Sequence, residues 1–399
     1  MRIVRTFHPV GQGAFYTEKL YDDNNVVKHI MVFDCGVAWG RVSKAKHLVK
    51  HAFDSSEVVD YLVISHLDYD HISLASTLFE SVDQVRHIVL PLVSEEDLII
   101  ALALHRIAGH ATCCSFIEKI VSHLRHDYND DFQRGDYSLI FVGQGQTSDW
   151  THTLWPDGEP RSLDLRDSVD WVFIPYNVES VSRKAALVNE LDSLLKDADI
   201  CNELEDLGRS FSNSNLFFDA LKDSSFVKNV IEKRGAILKG LKKVYDSIGG
   251  TINENSLQLY SGPSEIIHRL SEEDYDEWRY RAACLYTGDC LFDLATWRDI
   301  KYCKVWGNVG TIQLPHHGSI ESFDIAKNPI DRYYTFVVSC GNDNTFGHPS
   351  MRLLEYLLLS GCDYRIVNES IDSVFMSQIT ILEASDIKNR VNTKDVFAL

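Results

Sequence analysis

A strand-like run that ends in four potential metal ligands constrains this 399-residue chain more than any other feature. The run, VVDYLVIS, is β-branched and apolar, which is typical of a strand buried on both faces of a sheet. The segment HLDYDH follows at once and contains His66, Asp68, Asp70 and His71. His and Asp are also common in turns, but a loop hinged on a buried strand can direct two imidazoles and two carboxylates towards one point. This spacing therefore favours metal binding over an ordinary turn.

Later segments place further His and Asp residues at the predicted ends of strands. TGD ends one strand at Asp289, and LPHHGS ends another at His316 and His317. GNDNTFGHP, which contains His348, forms a turn before a predicted helix. TGD and GHP are weak signals by themselves, because Asp after Gly is usually only a turn, and HHGS is a moderate one. Their common position after strands is what points to one site.

The predicted elements form a β-rich frame with two helical insertions. The insertions cover about residues 95–130 and 182–248, and no linker rich in Pro, Gly or Ser separates them from the frame. We therefore expect an α+β fold and a single domain over residues 1–399. The predicted strands cover residues 2–7, 29–33, 58–65, 87–92, 137–142, 171–175, 256–260, 282–286, 309–314, 334–339, 365–367 and 374–382. Helices are predicted over 72–80 and over 349–360, where Pro349 is the first residue and Gly361 the stop.

Charge and cysteine content exclude some classes of protein. A net charge of −19 argues against a protein that coats nucleic acid passively. It does not exclude a nuclease, because bound divalent cations are large local positive charges. The first residues lack the apolar region of a signal peptide, and the most apolar stretch, 98–104, is too short to cross a membrane. Nine cysteines without paired spacing fit buried, reduced thiols, so we expect a cytoplasmic protein without a membrane partner.

Seven ordered motifs resemble the metallo-β-lactamase superfamily, and within it the ComEC-type branch found in competence proteins. They are VGQG (10–13), DCG (34–36), SHLDYDH (65–71), NENSL (253–257), TGD (287–289), HHGS (316–319) and GNDNTFGHP (341–349). The resemblance spans nearly the whole chain apart from the helical insertions. It implies an αββα sandwich, the metallo-β-lactamase fold, with a dinuclear metal site at its edge.

The resemblance also assigns candidate ligands to two divalent metal ions. His66 and Asp68 would bind one ion. Asp70 and His71 would bind the second, with Asp289 bridging the two or close to them. This chain has Asp68 where the commoner pattern HxHxDH has a histidine, and Ser73 and Leu74 where the branch often has two glycines. Because the family's third-motif histidine is also not evident, we expect the first site to be weak or partly open.

Two assignments stay open at this point. Only one of His316 and His317 is expected to complete the second metal site, because successive strand residues point to opposite faces. The other would orient the ligand or touch the substrate. The family's third-motif histidine is not evident; His87 is a candidate, although it is more often an ordinary strand residue.

The donor set indicates which metal and which chemistry to expect. Oxygen ligands suit Mn²⁺ and imidazoles suit Zn²⁺, so manganese is the working prediction and zinc the alternative. Two ions about 3.5–4 Å apart can hold a hydroxide and polarise the bond that it attacks. Asp68 or Asp70 could also orient this nucleophile, which makes both of them candidate catalytic residues.

The turn before the last predicted helix supplies candidate substrate contacts. With Pro349 as the first helical residue, His348 would stand at the N-cap, where free N–H groups favour anions, and could donate a proton or a hydrogen bond to a phosphate. The alternative is that His348 only ends a turn. Ser319 and Asn344 are further candidate substrate contacts.

The motifs favour a metal-dependent hydrolase, specifically a phosphodiesterase or nuclease acting on nucleic acid. A first alternative is a hydrolase of a small-molecule ester, lactone or cyclic nucleotide, which the acidic charge favours. A second is a non-catalytic subunit, against which the nearly complete ligand set argues. The pairs Lys242-Lys243 and Arg279/Arg281 are candidate phosphate contacts or solvated surface. The helical insertions could gate the site, form a homodimer or dock a partner protein.

Overall fold

The computed structural model describes residues 1–38, 42–125, 137–144, 153–163, 170–179, 181–247, 255–265, 281–330 and 334–380. Its strands are β1 (Arg2–Phe7), β2 (Phe15–Tyr21), β3 (Val27–Cys35), β4 (Val58–Val63), β5 (Gln84–Pro91), β6 (Ser138–Val142), β7 (Thr153–Trp155), β8 (Arg161–Ser162), β9 (Trp171–Glu179), β10 (Asn255–Pro263), β11 (Ala283–Tyr286), β12 (Val309–Gln313), β13 (Thr335–Ser339), β14 (Asp363–Val367) and β15 (Phe375–Thr380). Its helices are α1 (Val42–Ala52), α2 (Tyr69–Ile72), α3 (Ala75–Ser81), α4 (Glu95–Ala108), α5 (Ala111–Arg125), α6 (Val181–Leu194), α7 (Ala198–Asp206), α8 (Ser214–Leu221), α9 (Ser224–Lys233), α10 (Ala236–Ser247), α11 (Leu294–Thr296) and α12 (Met351–Leu359). Asn253, Arg279 and the predicted ends at 126–130, 248 and 381–382 lie outside the described residues.

The strands form two mixed sheets. The first has the order β15-β1-β2-β3-β4-β5-β6-β7, antiparallel up to β3 and parallel from β3 onwards. The second has the order β14-β13-β12-β11-β10-β9-β8, parallel from β14 to β11 and antiparallel from β11 to β8. The described residues therefore form the α+β fold that the sequence predicted.

The apolar side chains divide into an inner and two outer layers. Between the sheets, Phe33 and Val63 of the first sheet pack with Leu257, Tyr286 and Val337 of the second. Helices α1, α3, α4 and α5 cover the other face of the first sheet. Helices α11 and α12 pack on the other face of the second sheet. Strand β4, VVDYLV, lies between these layers, which explains why it is apolar apart from Asp60.

Helix α4 is buried on two sides. Leu98, Ala101 and Leu102 face the first sheet, whereas Ile100 and Leu104 pack against helices α6 to α10. An α-helix that is apolar around most of its circumference needs such a two-sided environment. The continuous run LIIALAL therefore reflects burial within the protein.

Several predicted helices are interrupted where polar residues can cap a new helix. The stretch 95–126 breaks at Gly109, which adopts a φ of 89° after α4. The stretch 182–245 is five helices, and Asp197, Asn213 and Asp223 cap three of them by accepting hydrogen bonds from backbone N–H groups. The predicted helix 72–80 is likewise divided into α2 and α3.

The predicted start of the helix at Pro349 was wrong. Helix α12 begins at Met351, and Ser350 is its N-cap. His348 therefore does not cap this helix. Ser350 has an extended backbone, with φ −62° and ψ 123°, and its N–H donates to the carbonyl oxygen of Gly318 at 3.0 Å, so the helix starts only after it.

Two further findings concern the apolar character of the helices and the state of the thiols. Among the described residues, none of the helices has the length and apolar character needed to cross a membrane. None of the nine cysteines forms a disulfide, and seven of them are buried.

Candidate metal centre

Strands of both sheets end at the same edge of the sandwich, and the candidate ligands follow them. Strand β4 leads into Ser65–His71, which we call the ligand loop. Strand β11 leads to Asp289, and β12 leads to Pro315–Gly318, which we call the histidine turn. The N–H of Leu257 in β10 donates to the carbonyl oxygen of Ser65 at 2.9 Å, which ties the two sheets together beside the ligand loop.

The first cluster of donors joins residues of both sheets. His66 Nε2 lies 3.5 Å from Asp289 Oδ2, and His71 Nε2 lies 3.4 Å from Asp289 Oδ1. Asp68 Oδ2 lies 3.4 Å from the same nitrogen of His66. None of these four side chains is more than 7% exposed. The cluster therefore lies in a largely water-excluded environment.

The second cluster lies beside the first and is more open. Asp70 Oδ2 and His317 Nε2 are hydrogen-bonded at 2.9 Å, and Asp70 Oδ1 lies 4.0 Å from His71 Nε2. The side chain of Asp70 is 27% exposed. His71 takes part in both clusters through one nitrogen atom. Because one imidazole nitrogen binds one ion, His71 can serve only one of two ions at a time.

The donors fit a divalent cation. Two ligands bound at about 2.1 Å in tetrahedral geometry hold their donor atoms about 3.4 Å apart. The separations of Asp289 from His66 and His71, 3.5 and 3.4 Å, match this value. The Nε2 atoms of His66 and His71 are buried and have no hydrogen-bond partner among the described residues. Buried polar atoms are normally satisfied, and a cation would satisfy these.

The charges in the clusters depend on one another. Burial alone would lower the pKa of His71, but the carboxylates of Asp34, Asp289 and Asp70 outweigh it and raise that pKa well above its usual range. Burial would raise the pKa of Asp289, but the imidazoles of His316, His66 and His71 hold it well below the usual value. In the absence of a cation, a proton on His71 therefore balances part of the carboxylate charge. A bound cation would replace that proton.

Asp70 and His317 shift each other's pKa in the same way. Burial would raise the pKa of Asp70, but His71 and His317 lower it to about 2. Burial would lower the pKa of His317, but the hydrogen bond and charge of Asp70 raise it. The second cluster therefore also holds a carboxylate that is ionised throughout the physiological range.

Asp34 orients the ligand loop from the adjacent strand. Its Oδ2 accepts hydrogen bonds from His71 Nδ1 at 2.8 Å and from Ser65 Oγ at 2.7 Å. Its Oδ1 accepts from the N–H of Ser65 at 2.7 Å. A proton held on Nδ1 leaves the Nε2 lone pair of His71 directed into the cluster, which is the usual arrangement of a metal-binding histidine.

The two glycine-containing turns near the N-terminus pack directly on the ligand loop. A Cβ atom on Gly36 would collide with the backbone carbonyl group of Asp70. The N–H of Ala14 donates to the same carbonyl oxygen at 3.1 Å, and the N–H of Gly36 donates to the carbonyl oxygen of Ala14 at 2.8 Å. The motifs VGQG and DCG therefore fix the backbone that carries Asp70 and His71.

The histidine turn is held in an unusual backbone conformation. His316 and His317 have φ values of 49° and 54°, and Gly318 follows with a φ of 78°. Non-glycine residues in this left-handed region cost about 1–2 kcal/mol each. Gly318 permits the turn to approach the next segment, since a Cβ there would lie 2.8 Å from Cβ of Pro349. Such strain is frequently found at functional sites.

Both histidines of this turn reach the site, but they occupy different positions. His317 Nδ1 is bonded to the carbonyl oxygen of Ser339 at 2.8 Å, and its Nε2 faces Asp70. His316 is 33% exposed, and its Nε2 lies 3.9 Å from Asp289 Oδ2. The geometry thus places His317 within the second cluster and His316 at the more exposed side of Asp289. The reason is the left-handed turn, which replaces the extended strand assumed from the sequence.

His348 lies beside His316 although it does not cap a helix. The two imidazole rings are 5.3 Å apart at an angle of 72°. Burial, together with the charges of His316 and His317, lowers the pKa of His348 to about 4. His348 is therefore a neutral imidazole at the open side of the site.

The two other predicted substrate contacts have roles within their own loops. Ser319 Oγ accepts a hydrogen bond from the N–H of Glu321. Asn344 Oδ1 accepts from the N–H of His348, and its amide group donates to the carbonyl oxygen of Gly341. These bonds explain both residues without a substrate, so their contact with substrate stays a prediction.

His87 lies far along its strand from the ligand loop. Its register partner in β4 is Tyr61, which comes five residues before His66. At about 3.3 Å per residue, this places it roughly 16 Å from the loop. His87 instead bonds to Ser138 Oγ, so the structure gives it the ordinary strand position that was the alternative.

Sequence reasoning missed a buried histidine of the first helical insertion. His105 in α4 donates from Nε2 to the carbonyl oxygen of Leu67, in the middle of the ligand loop, at 2.8 Å. Its Nδ1 then accepts from Nδ1 of His110 at 3.1 Å. The only local signal was a histidine on an otherwise apolar helix face, which is usually an ordinary core residue.

Comparison with known proteins adds little to this picture. No protein-family model and no curated protein matches the sequence. Among solved structures, the crystal structure of unliganded yeast PDE1 is similar over 94% of this chain and 99% of that chain, at 9% sequence identity and a TM-score of 0.35. A likeness of this extent is too low to assign the chain to a family.

Proposed function

We propose that this chain is a metal-dependent phosphodiesterase with the metallo-β-lactamase fold, close to the ComEC-type branch. The observation that carries the proposal is the first cluster, in which buried, unsatisfied Nε2 atoms of His66 and His71 meet the carboxylate of Asp289 at ligand spacing. The proposal treats residues 1–399 as one domain, with the helices between β5 and β6 and between β9 and β10 as insertions.

The four-layer packing supports this choice of fold. Two mixed sheets face each other and helices cover both outer faces, as in an αββα sandwich. The contacts of the motifs support it further, because VGQG, DCG and TGD all reach the ligand loop or its partners. The N–H of Asp289, for example, donates to Ser256 Oγ at 3.0 Å.

Each candidate ligand receives a role in this proposal. His66 and Asp68 would hold one ion with Asp289, and Asp70 would hold the other with His317. His71, oriented by Asp34, belongs to both groups of donors and would bind one of the two ions. The ions, when bound, supply Lewis-acid activation of water and neutralise charge that develops on the phosphate. Mn²⁺ or Zn²⁺ fits this set of carboxylates and imidazoles.

The more exposed side chains would act on the substrate. Asp70 is the most exposed carboxylate of the two clusters, so it is placed to orient the attacking water. His316 and His348 lie together on the open side and would offer hydrogen bonds to the phosphate oxygens. His317 is less exposed and stays with Asp70.

A nucleic acid is the proposed substrate, and a cyclic nucleotide or another small diester is the second candidate. The ComEC-type motif order supports the first. The charge of −19 supports the second, since it weakens attraction to a long polyanion. Labelled single-stranded and double-stranded DNA, RNA and cyclic nucleotides, assayed together, distinguish the two.

The test compares wild type with Asp70→Ala in Mn²⁺ and in Zn²⁺. We expect the variant to lose at least about a hundredfold in kcat, because one ion loses a ligand and water loses its orientation. The matched control is Asp219→Ala, which removes an exposed carboxylate of α8 that pairs with Lys222. Metal analysis of the protein is expected to find two ions per chain. Equal products from wild type and Asp70→Ala, or no bound transition metal, would overturn the proposal.

A further inference from the structure

An aromatic side chain stands exposed at the open side of the candidate metal centre. Phe346 is 69% exposed, although burial of an aromatic ring is strongly favourable. Single exposed apolar residues are common on protein surfaces. The position of this one, on the loop that carries His348, makes it a candidate for contact with a ligand.

The loop that carries Phe346 is fixed by its own hydrogen bonds. Asn344 bonds to backbone atoms on both sides of Phe346: it donates to the carbonyl oxygen of Gly341 at 2.6 Å and accepts from the N–H of His348 at 3.0 Å. Gln12 Oε1, from the motif VGQG, accepts from the N–H of Gly341 at 3.2 Å. The backbone is therefore held in place while the phenyl ring points to solvent, an arrangement that costs little entropy when a ligand binds.

A series of ring contacts connects Phe346 to the metal ligands. The rings of Phe346 and His348 are 5.9 Å apart with an angle of 31° between their planes. The rings of His348 and His316 are 5.3 Å apart. His316 Nε2 in turn lies 3.9 Å from Asp289 Oδ2. A substrate whose phosphate lies at the candidate metal centre, beside His316, can therefore extend its organic group towards Phe346.

We infer that Phe346 stacks on a nucleobase of the substrate, an inference that rests on the proposed phosphodiesterase function. Every nucleobase offers a planar π-face, and stacking on an aromatic side chain tolerates any sequence. The charge of the chain favours such a contact, because a protein with a net charge of −19 gains little affinity from the phosphate backbone. Stacking is not opposed by negative charge.

The test uses two diesters with the same leaving group, the nitrophenyl ester of thymidine monophosphate and methyl nitrophenyl phosphate. Only the first carries a base. Phe346→Leu keeps an apolar side chain without a ring, and Phe346→Trp keeps an aromatic face. Ile300→Ala is the control, because Ile300 is also exposed, at 70%, and lies outside the site.

We expect Phe346→Leu to raise KM for the thymidine ester about tenfold and to leave kcat and the methyl ester unchanged. Phe346→Trp and Ile300→Ala should behave like wild type. If Phe346→Leu changes KM for both diesters equally, or for neither, the stacking inference is rejected while the proposed phosphodiesterase function is retained. A further variant, Phe346→Ala, removes the apolar side chain as well as the ring. If it raises KM for the thymidine ester while Phe346→Leu behaves like wild type, the contact is apolar without stacking, which also rejects the inference. If wild type hydrolyses neither diester, nor any DNA, RNA or cyclic nucleotide, the proposed function fails, and the inference fails with it.

Discussion

The ligand loop and the histidine turn supply the same kinds of donor to one site, but their backbones are held differently. The ligand loop has no positive φ among its residues and is enclosed by Asp34, the glycine turns and His105. The histidine turn has three successive residues with positive φ, and its first imidazole is one-third exposed. The ligand loop is thus held by close packing, with a positive φ of 54° only in its support Asp34, whereas the histidine turn itself stores backbone strain.

The ligand loop and the histidine turn thus illustrate two ways in which a protein can position metal-binding side chains. Close packing positions the donors before the ion arrives. A substitution that disrupts this packing should therefore lower both the free energy of unfolding and the affinity for metal. Backbone strain persists only because the surrounding structure enforces it. A substitution that relieves the strain should therefore raise the free energy of unfolding and lower the affinity for metal. Four substitutions test whether the two sides behave in these opposite ways.

Gly36→Ala should have the largest effect. The new Cβ meets the backbone of Asp70, which cannot move without displacing the ligand loop, so we expect the free energy of unfolding to fall by about 3 kcal/mol or more. Urea unfolding measures it. Gly109→Ala is the control: no atom lies within 4 Å of the point that a Cβ would occupy there, so only its positive φ of 89°, which Gly36 does not share, opposes the substitution. A loss no larger than that of the control would show that the loop is not closely packed.

Asp34→Asn should weaken metal binding strongly with a smaller change in stability. An amide nitrogen at Oδ2 would donate to His71 Nδ1 and force the proton onto Nε2, which faces the cluster. We expect the Kd for Mn²⁺ or Zn²⁺ to rise about 10–100-fold by calorimetry. Asp60→Asn is the matched control, since Asp60 is buried beside His29 in another part of the first sheet. Unchanged affinity in Asp34→Asn would remove the orienting role of Asp34.

His105→Leu should reduce metal affinity less than Asp34→Asn does, by about tenfold. The reason is that His105 bonds to the carbonyl oxygen of Leu67 and does not contact a candidate ligand side chain. His105→Gln keeps an N–H donor and should recover most of the affinity. His29→Leu, at another buried histidine, should lower stability without changing the Kd. Equal affinity in His105→Leu and His105→Gln would mean that the hydrogen bond to Leu67 does not position the ligand loop.

His316→Gly should have the smallest effect on stability, and of opposite sign. Glycine adopts a φ of 49° without steric cost, so the free energy of unfolding should rise by up to about 1 kcal/mol, reduced by the lost bond to Ser322. Hydrolysis should fall in the same variant. A clear loss of stability in thermal melts would show that the histidine turn is not strained, and the contrast with the ligand loop would disappear.

The ligand loop could be predicted from the sequence because its signals are local. The apolar run before the ligand loop has the pattern of a buried strand, and the loop itself contains four residues of ligand type close together in sequence. The helix after Pro349 was placed too early, because the preference of proline for the first helical position was weighed above the preference of serine, here Ser350, for the N-cap. Helix breaks at capping residues inside the insertions were missed for a similar reason.

The supports of the site could not be predicted in the same way. Asp34 bonds to His71 from 37 residues away, and His105 bonds to Leu67 from 38 residues away. Contacts between residues so far apart in sequence cannot be inferred from the periodicity of a helix or a strand, because tertiary packing brings these residues together. The left-handed histidine turn is a further example, because an HHG sequence alone does not show that two histidines will adopt positive φ.

Helix α4 connects helices α6 to α10 to the ligand loop of the candidate metal centre. One side of α4 packs on the outer helices, the other on the first sheet, and His105 joins it to the loop between two ligands. Because protein interiors are closely packed, a small shift of one helix moves the helices packed against it. We therefore expect a molecule that binds to helices α6 to α10 to shift the ligand loop, and with it the candidate metal centre, from a distance.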